Sequence, residues 1–470
     1  MNEKYKATIG LEIHAELKTI TKMFCSCKND PDEEKPNSNI CEICTAQPGT
    51  LPVLNKKAIE HVLKVGLACD SKIADFTEWD RKNYFYPDIP KGYQITQYKY
   101  PLVSGGSIKG VELTRIHLEE DTGSSTHDAG DFSLVNFNRA GVPLMELVTE
   151  PVIHSGKQAA DFAKELQLLL QYLGAGEANM EKGEMRVEAN ISVSDTDKFG
   201  TKVEIKNLNS FRTVERAVAY EIERQIDAIE KGEKVIQETR GWDEAKQKTF
   251  SQRIKEDSHD YRYFPDPDLP KMMISEVFDL KSLKTSLPEL PWKRREKYLN
   301  TYEIKEQDAD FFVNNVDFGM FFENVISGFS GNKDLIKLAS NYISSDLVGF
   351  ISKDSTLKNP SPEKFAKIIF MVSEGKLSSR TAKDLLERLL KENIDPEEVA
   401  NKEGLIQKND EGAVKEIANK LIAENPKVVA DYKAGKEMAL MFFVGQIMKT
   451  TKGSSNPQVI KKVLIDMLSK

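Results

Sequence analysis

Four of the chain's five cysteines fall in two close pairs, Cys25-x-Cys27 and Cys41-x-x-Cys44. Zinc takes four thiolates in a tetrahedron, and two such pairs joined by a loop supply them. The intervening stretch, residues 30–37, reads Asp-Pro-Asp-Glu-Glu-Lys-Pro-Asn. It is polar, has no core of its own and suits a metal staple; four unrelated thiols are the plainer alternative. With every ligand position filled by protein, the zinc expected here is structural. Cys69 stands alone beside Val62, Leu63, Val65 and Leu67 and reads as a packing residue of a helix. Cysteines so placed do not make a disulfide scaffold.

A second group of residues offers hard ligands. Glu12, His14 and Glu16 alternate with Ile13, Ala15 and Leu17, so they share one side of a strand. His117-Leu118-Glu119-Glu120-Asp121 adds carboxylates, and Glu146 sits inside the apolar stretch Pro143-Leu144-Met145. Arg186 and Glu188, then Lys202, Glu204 and Lys206, set cations beside further acids. Carboxylates that hold Mg2+ next to lysines that hold phosphate are what ATP chemistry requires. A solvated sheet face of alternating charge is the competing reading; three separate strands with clean apolar backs weigh against it. There is no G-x-x-x-x-G-K-[ST], so an ATP site here is not a P-loop, and no G-x-S-x-G or Cys–His nucleophile. Two aromatic loops, residues 80–97 and 260–268, suit either stacking on a base or sugar, or plugging a sheet edge.

Strands and helices must position these groups. Period-two patterns predict strands over residues 8–17, 185–193 and 202–206. Ser155 caps a predicted helix with a stripe of Ala160, Phe162, Ala163, Leu166, Leu169, Leu170 and Leu173, and a second helix runs over 213–230. Two prolines in residues 286–291 mark a boundary. Beyond it the pattern is helical, near 294–330, 333–350, 361–373, 378–393, 412–423, 435–449 and 456–469, and Asp395-Pro396 with the polar run after it suggests a further break near 400. The chain has 470 residues, 30% of them charged, and a net charge of −8. That balance argues against indiscriminate nucleic-acid coating, though not against local basic patches on a structured RNA. No apolar run is long enough for a membrane span, and the N-terminus has no signal or transit character, so a soluble cytoplasmic protein is expected.

Six stretches together resemble a known family: residues 10–17 (Gly-Leu-Glu-Ile-His-Ala-Glu-Leu), 80–97, 118–121 (Leu-Glu-Glu-Asp), 138–146 (Asn-Arg-Ala-Gly-Val-Pro-Leu-Met-Glu), 206–211 (Lys-Asn-Leu-Asn-Ser-Phe) and 260–265. They are similar to the GatB family, the B subunits of the aspartyl/glutamyl-tRNA(Asn/Gln) amidotransferases, and the resemblance runs to residues 444–449 and 456–457. It implies an α+β fold: an antiparallel-sheet cradle domain with helices (1–290), an all-α helical domain (291–400) and a small α-helical YqeY-like tail (401–470). It implies work in a heterotrimer with an amidase (A) subunit and a small (C) subunit. The B subunit would phosphorylate, with ATP, the side-chain carboxylate of Glu misacylated onto tRNA(Gln) or Asp onto tRNA(Asn). Ammonia from the amidase would then displace the phosphate. Carried over, Glu12 and His14 match the family's Mg2+-binding pair, and Glu120 and Glu146 its further acidic ligands. Glu119 is a substitute for Glu120, and Glu188 stands where the family keeps an acid.

Lys202, Glu204, Lys206 and Asn207 are candidates for the nucleotide. Lys449, Lys452, Lys461, Lys462 and Lys470 against Asp466 make a local charge of +4 at the C-terminal end, the expected tRNA contact. The alternatives are a zinc-stapled tRNA-binding scaffold without catalysis and a metal-dependent hydrolase using Glu12 and His14.

Overall fold

A computed structural model describes residues 4–126, 130–254, 261–407, 411–436, 438–451 and 455–469. The chain divides into two compact units, Met1–Trp292 and Lys293–Lys470.

The first unit is built on one large sheet. Its strands are β1 (Lys6–Glu16), β4 (Val111–Glu120), β5 (Pro143–Thr149), β6 (Met185–Ser194), β7 (Val203–Leu208), β8 (Glu238–Asp243) and β9 (Lys248–Ile254). Between β1 and β4 lie α1 (Lys56–Ala68), β2 (Asp80–Asn83) and β3 (Tyr93–Thr96); α2 (Gly156–Tyr172) precedes β6 and α3 (Phe211–Glu230) follows β7. The spatial order is β9-β8-β7-β6-β1-β5-β4, continued by the short strands Val103–Ser104 and Lys72–Ile73. Every described pair in this sheet is antiparallel except β7 with β8. There the expected antiparallel pattern gives way, because α3 carries the chain back across the sheet and a crossover returns it parallel.

The burial of β1 follows its sequence. Ile9, Leu11, Ile13 and Ala15 are buried, while Gly10, Glu12, His14 and Glu16 are half-buried on the opposite face. β6 repeats the pattern with Met185, Val187, Ala189 and Ile191 inward. These apolar backs pack with α1 and α2 in one continuous core that includes Val62, Leu63, Phe162, Leu166 and Leu169. Ser155 and Ser210 cap α2 and α3, their side chains accepting from the backbone N–H of Gln158 and Thr213. Cys69 is buried at the end of α1, and burial pushes its thiol up to about 12. The sheet is thus covered on one face, leaving a row of polar side chains on the other.

β10 (Phe264–Pro265) pairs with β2, which pairs with β3. This joins the two aromatic loops, which lie far apart in sequence. Arg81 fastens the junction through Nε to Asp266 Oδ2 at 2.8 Å and a second nitrogen to Asp268 Oδ2 at 2.9 Å. Asp260, at the start of the second loop, lies outside the described residues.

The second unit is helical: α4 (Pro291–Asn300), α5 (Glu306–Asn314), α6 (Val316–Ile326), α7 (Lys333–Asn341), α8 (Pro362–Ser373), α9 (Ser379–Glu392), α10 (Pro396–Lys402), α11 (Glu411–Glu424), α12 (Pro426–Lys433), α13 (Met438–Thr450) and α14 (Pro457–Leu468). The segment expected over 294–330 is broken twice, by the left-handed conformation of Glu303 and by Asn315, whose backbone is not helical. Asp395-Pro396 opens α10, a short helix that the sequence pattern does not indicate and that ends at Lys402. Asp395 caps it and Pro396 takes the first helical position, where its missing N–H costs nothing. Residues 414–468 have a small core of their own, with Phe443, Ile447, Ile460, Val463 and Leu464 buried together. Among the described residues no helix is long and apolar enough to cross a membrane.

Candidate functional site

Strand register assembles the polar face. Across neighbouring strands the partners run Arg186–His14–Glu146–His117, on β6, β1, β5 and β4. One step along β1, Glu12 faces Glu188 on one side and Val148 on the other. His14 Nε2 lies 3.4 Å from Glu146 Oε2 and 3.5 Å from Glu119 Oε1, and His117 Nε2 lies 3.5 Å from Glu146 Oε2. Arg115 reaches Glu146 Oε1 at 3.2 Å. The ligand atoms of Glu12, His14 and Glu146 lie within 4.8 Å of one another, and so do those of His117, Glu119 and Glu146.

Burial and charge set the protonation of this cluster. Burial opposes charge on His14, but Glu146, Glu119 and Glu12 outweigh it and carry the imidazole up to about 9. His117, with fewer acids to compensate, is held down to about 4 by burial. Burial pushes Glu119 up to about 7 despite the nearby Lys82, and with help from Glu146 raises Glu12. Burial also acts to raise Glu146, yet His117, His14 and Arg115 hold it below the usual carboxylate range. Glu119 Oε2 is buried with no hydrogen-bond partner. Three carboxylates and two imidazoles, one carboxylate oxygen left orphaned, fit a divalent cation that takes oxygen ligands.

Glu119 and Glu120, adjacent in sequence, face opposite ways. Glu120 lies on the side of Ile116 and Leu118, where its carboxylate accepts from Lys91 Nζ at 2.6 Å and from the Ile95 backbone N–H at 2.9 Å. It is therefore not gathered with Glu12, His14 and Glu146; Glu119 is.

The nucleotide candidates divide as well. Lys206 donates to Glu188 at 2.7 Å and lies 3.8 Å from Glu204. Glu204 is buried and accepts from Thr239 Oγ1 at 2.6 Å, which turns it toward β8. Lys202 and Asn207 are exposed, Asn207 in the left-handed conformation this residue type tolerates.

Three groups at the cluster were not among the candidates: His117, Arg115 and Lys82. The parity of Ile116 and Leu118 on β4 was the available signal for His117 and Glu119. Lys82 had none, because the β2–β3–β10 sheet brings it in. Burial opposes its charge, but Glu119, Tyr263, Tyr84 and Glu146 raise its pKa above the ordinary lysine range. Its ammonium lies 5.1 Å from the Tyr261 ring centre and 5.7 Å from that of Tyr84. Tyr98 stacks on Tyr263 at 4.0 Å. On the far flank Arg186 pairs with Asp121, which Arg139 approaches at 3.6 Å.

The four cysteine sulfurs also come within 4.8 Å of one another. A hydrogen bond with Cys25 holds the Cys44 thiol down to about 5, and the same bond raises Cys25. The fully buried Lys22 sets its ammonium 4.0 Å from Cys44 Sγ and donates to the Phe137 carbonyl at 3.1 Å. A cluster able to lose protons beside a fixed cation fits a tetrahedral metal.

Of the tail lysines, Lys449 is exposed and Lys461 half-buried, while Lys462 pairs with Glu411 at 3.0 Å. Lys452 and Lys470 lie outside the described residues.

Residues 7–278 match the family model for the GatB/GatE catalytic domain, and residues 320–468 match that for the GatB domain. The chain is 41% identical to the B subunit of the aspartyl/glutamyl-tRNA(Asn/Gln) amidotransferase of Carboxydothermus hydrogenoformans, over 99% of both chains. It is 42% identical to the B subunit of the same enzyme from Persephonella marina, over 99% of this chain and all of the relative. The figure for Caldicellulosiruptor saccharolyticus is 43%, with the same coverage. Two family models that together match most of its length, and relatives 41–43% identical over nearly all of it, show that this chain belongs to the family of amidotransferase B subunits.

Proposed function

We propose that the protein is the B subunit of a cytoplasmic tRNA-dependent amidotransferase, working with an amidase (A) subunit and a small (C) subunit. Its reaction is the ATP-dependent activation of misacylated Glu-tRNA(Gln) or Asp-tRNA(Asn), followed by amidation. The observation that carries this reading is the pair of overlapping clusters on the polar face of the sheet, Glu12–His14–Glu146 and His117–Glu119–Glu146. A free carboxylate is a poor acyl donor, because ammonia would have to expel an oxide-like group. Attack of the aminoacyl carboxylate oxygen on the γ-phosphorus of ATP forms a P–O bond, breaks the bond to ADP and yields an acyl phosphate. Ammonia then attacks the acyl carbon, inorganic phosphate leaves and the amide remains.

The chain's residues divide this task. Glu12, His14, Glu119 and Glu146 would hold Mg2+, with Glu188 as an outer acid; Glu119 takes the role first assigned to Glu120. Bound there, Mg2+ supplies charge neutralisation for the transferring phosphoryl group. Lys206, tied to Glu188, and the exposed Lys202 and Asn207 face the incoming phosphates, with Glu204 orienting Lys206. Lys82 and Arg186, at opposite flanks, supply fixed positive charge. Cys25, Cys27, Cys41 and Cys44 hold a structural Zn2+.

We assign residues 1–290 to catalysis, 291–400 to a helical spacer and 401–470, with their separate small core, to a tail that meets the tRNA body through Lys449, Lys452, Lys461 and Lys462. Truncating the tail should weaken tRNA binding and flatten its salt dependence, with activity retained at saturating tRNA. The central test is ATP hydrolysis by the assembled enzyme with glutamine. It should require Glu-tRNA(Gln) or Asp-tRNA(Asn) and be silent with uncharged tRNA. Hydrolysis indifferent to the aminoacyl group would favour a plain hydrolase, and none at all a scaffold.

A further inference from the structure

One lysine of the first unit is fully buried without an acid to pair with. The ammonium of Lys22 lies 3.1 Å from the Phe137 carbonyl and 4.0 Å from Cys44 Sγ. Among the described residues it pairs with no carboxylate, so its three N–H donors find one carbonyl and one sulfur. Lys91, only half-buried, has Glu120 at 2.6 Å. An ammonium taken out of water is costly unless an anion replaces the solvent, and the anion within reach of Lys22 is a thiolate.

The main chain fixes Lys22 where the two cysteine pairs meet. Its backbone N–H donates to the Cys27 carbonyl at 3.0 Å, and Thr21 bridges to Lys28, which closes the turn carrying Cys25 and Cys27. Its side chain reaches Cys44 of the second pair. Gly141 packs against both partners: a Cβ there would touch the Lys22 side chain at 3.6 Å and that of Cys44 at 3.7 Å, and its φ of +84° suits glycine. The Met23 backbone N–H donates to the Gly141 carbonyl at 2.7 Å. Lys22 is therefore held at both ends, by its backbone to one cysteine pair and by its ammonium to the other.

We propose that Lys22 is the counter-charge of the cysteine-bound metal, a positioning residue that offsets the charge of the thiolates and ties them to the turn before β5. Zinc with four thiolates carries two net negative charges, and holding that charge away from water without a cation weakens the site. One ammonium beside a sulfur offsets half of it. Groups just outside a metal's ligands orient those ligands and tune the affinity of the site. The same ammonium donates to the Phe137 carbonyl, next to Asn138, whose side chain accepts from the backbone of Ser38 and Asn39 in the cysteine loop. The dependence is mutual: the sulfurs supply the anion that the buried lysine requires, and the lysine supplies the cation that the thiolates require. Without the metal-bound thiolates the buried ammonium becomes a cost instead of a support.

The inference rests on the four cysteines holding zinc, and the experiment separates the two. Zinc affinity of the full-length chain is measured by competition with a chromogenic chelator for the unmodified protein, Lys22→Met and Lys22→Arg. Thermal unfolding is followed with zinc bound and after its removal. Lys22→Met, which keeps the length of the side chain and loses the charge, should weaken zinc by about tenfold or more. Lys22→Arg, which keeps the charge, should hold zinc much as the unmodified chain does. With zinc bound, Lys22→Met should unfold at a lower temperature; without zinc that deficit should vanish or reverse, because an unpaired buried charge has been removed. A deficit of equal size in both states would make Lys22 a packing residue and overturn the proposal, as would unchanged zinc affinity in Lys22→Met. If Lys22→Met gives no folded chain, Lys22→Arg decides: zinc retention supports the counter-charge, and zinc loss refutes it. An unmodified chain that bound no zinc would overturn the metal site itself.

Discussion

The two ligand clusters of the first unit are built in opposite ways. The cysteine cluster takes its four sulfurs from residues 25–44, one short stretch of loop. The Glu/His cluster takes its groups from β1, β4 and β5, with residues 12 and 146 more than a hundred positions apart. Loop geometry can be rearranged by a metal; register in a sheet cannot, because slipping by one residue turns every side chain to the other face. A loop-borne cluster depends on its ion for shape, and a sheet-borne cluster has its shape before the ion arrives.

That contrast is tested most severely by deleting ligands. Glu12→Ala and His14→Ala should reduce misacylated-tRNA-dependent ATP hydrolysis on the order of 10³-fold. Zinc content and the glutaminase activity of the partner should stay as they were. Near-normal turnover in Glu12→Ala would break the idea that this row of the sheet is the phosphoryl-transfer site.

Glu119→Gln and Glu120→Gln, a pair of adjacent isosteric changes, sharpen the same point. Glu119→Gln should raise the Mg2+ concentration needed for half-maximal activity by about tenfold or more, since it removes charge from the cluster. Glu120→Gln should leave that requirement unchanged, because its carboxylate is engaged with Lys91 and Ile95 on the other face. Equal effects on Mg2+ dependence would mean the strand's polarity has been misassigned.

For the cysteine cluster the expected damage is to stability. Cys41→Ser/Cys44→Ser should take bound zinc from about one per chain to none. It should destabilise the first unit by on the order of 3 kcal/mol, comparable to losing a loop-closing cross-link. Full zinc retention in this variant would refute the site.

The smallest effect probes how far the clusters are joined. Asn138 accepts from the backbone N–H groups of Ser38 and Asn39 and donates to the Lys35 carbonyl, stitching the cysteine loop to the segment before β5. Its neighbour Arg139 donates to the Thr122 and Gly123 carbonyls. Asn138→Ala should cost about 1–3 kcal/mol through the orphaned backbone groups and speed zinc release to a chelator. Turnover at low temperature should fall by less than about threefold, a figure within about 1 kcal/mol. A larger loss would show that the cysteine loop helps shape the sheet-borne site.

Much of this was legible in the chain itself because it depends on local period. The alternation in residues 8–17 and 185–193 dictates which side chains of β1 and β6 are buried, and β6 continues it to Ser194. The stripe from Ala160 to Leu173 dictates the buried side of α2. The spacing of Cys25, Cys27, Cys41 and Cys44 implied a single cluster, since short loops leave little freedom. Glu12 and His14 were marked as neighbours for the same reason.

What the sequence could not supply is whatever depends on which strands are neighbours. Local pattern cannot say that β1 lies between β5 and β6, and so it cannot set Glu146 beside His14. The adjacent acids Glu119 and Glu120 were undecided until the register of β4 against β5 turned one to the cluster and the other to Lys91. Lys82 enters the site only because β10 pairs with β2 across more than 180 residues of chain. Periodicity is a property of the backbone's own geometry and is written residue by residue. Proximity between distant segments is settled only when the whole core packs, because it is the shared burial of their apolar faces that selects one pairing among many.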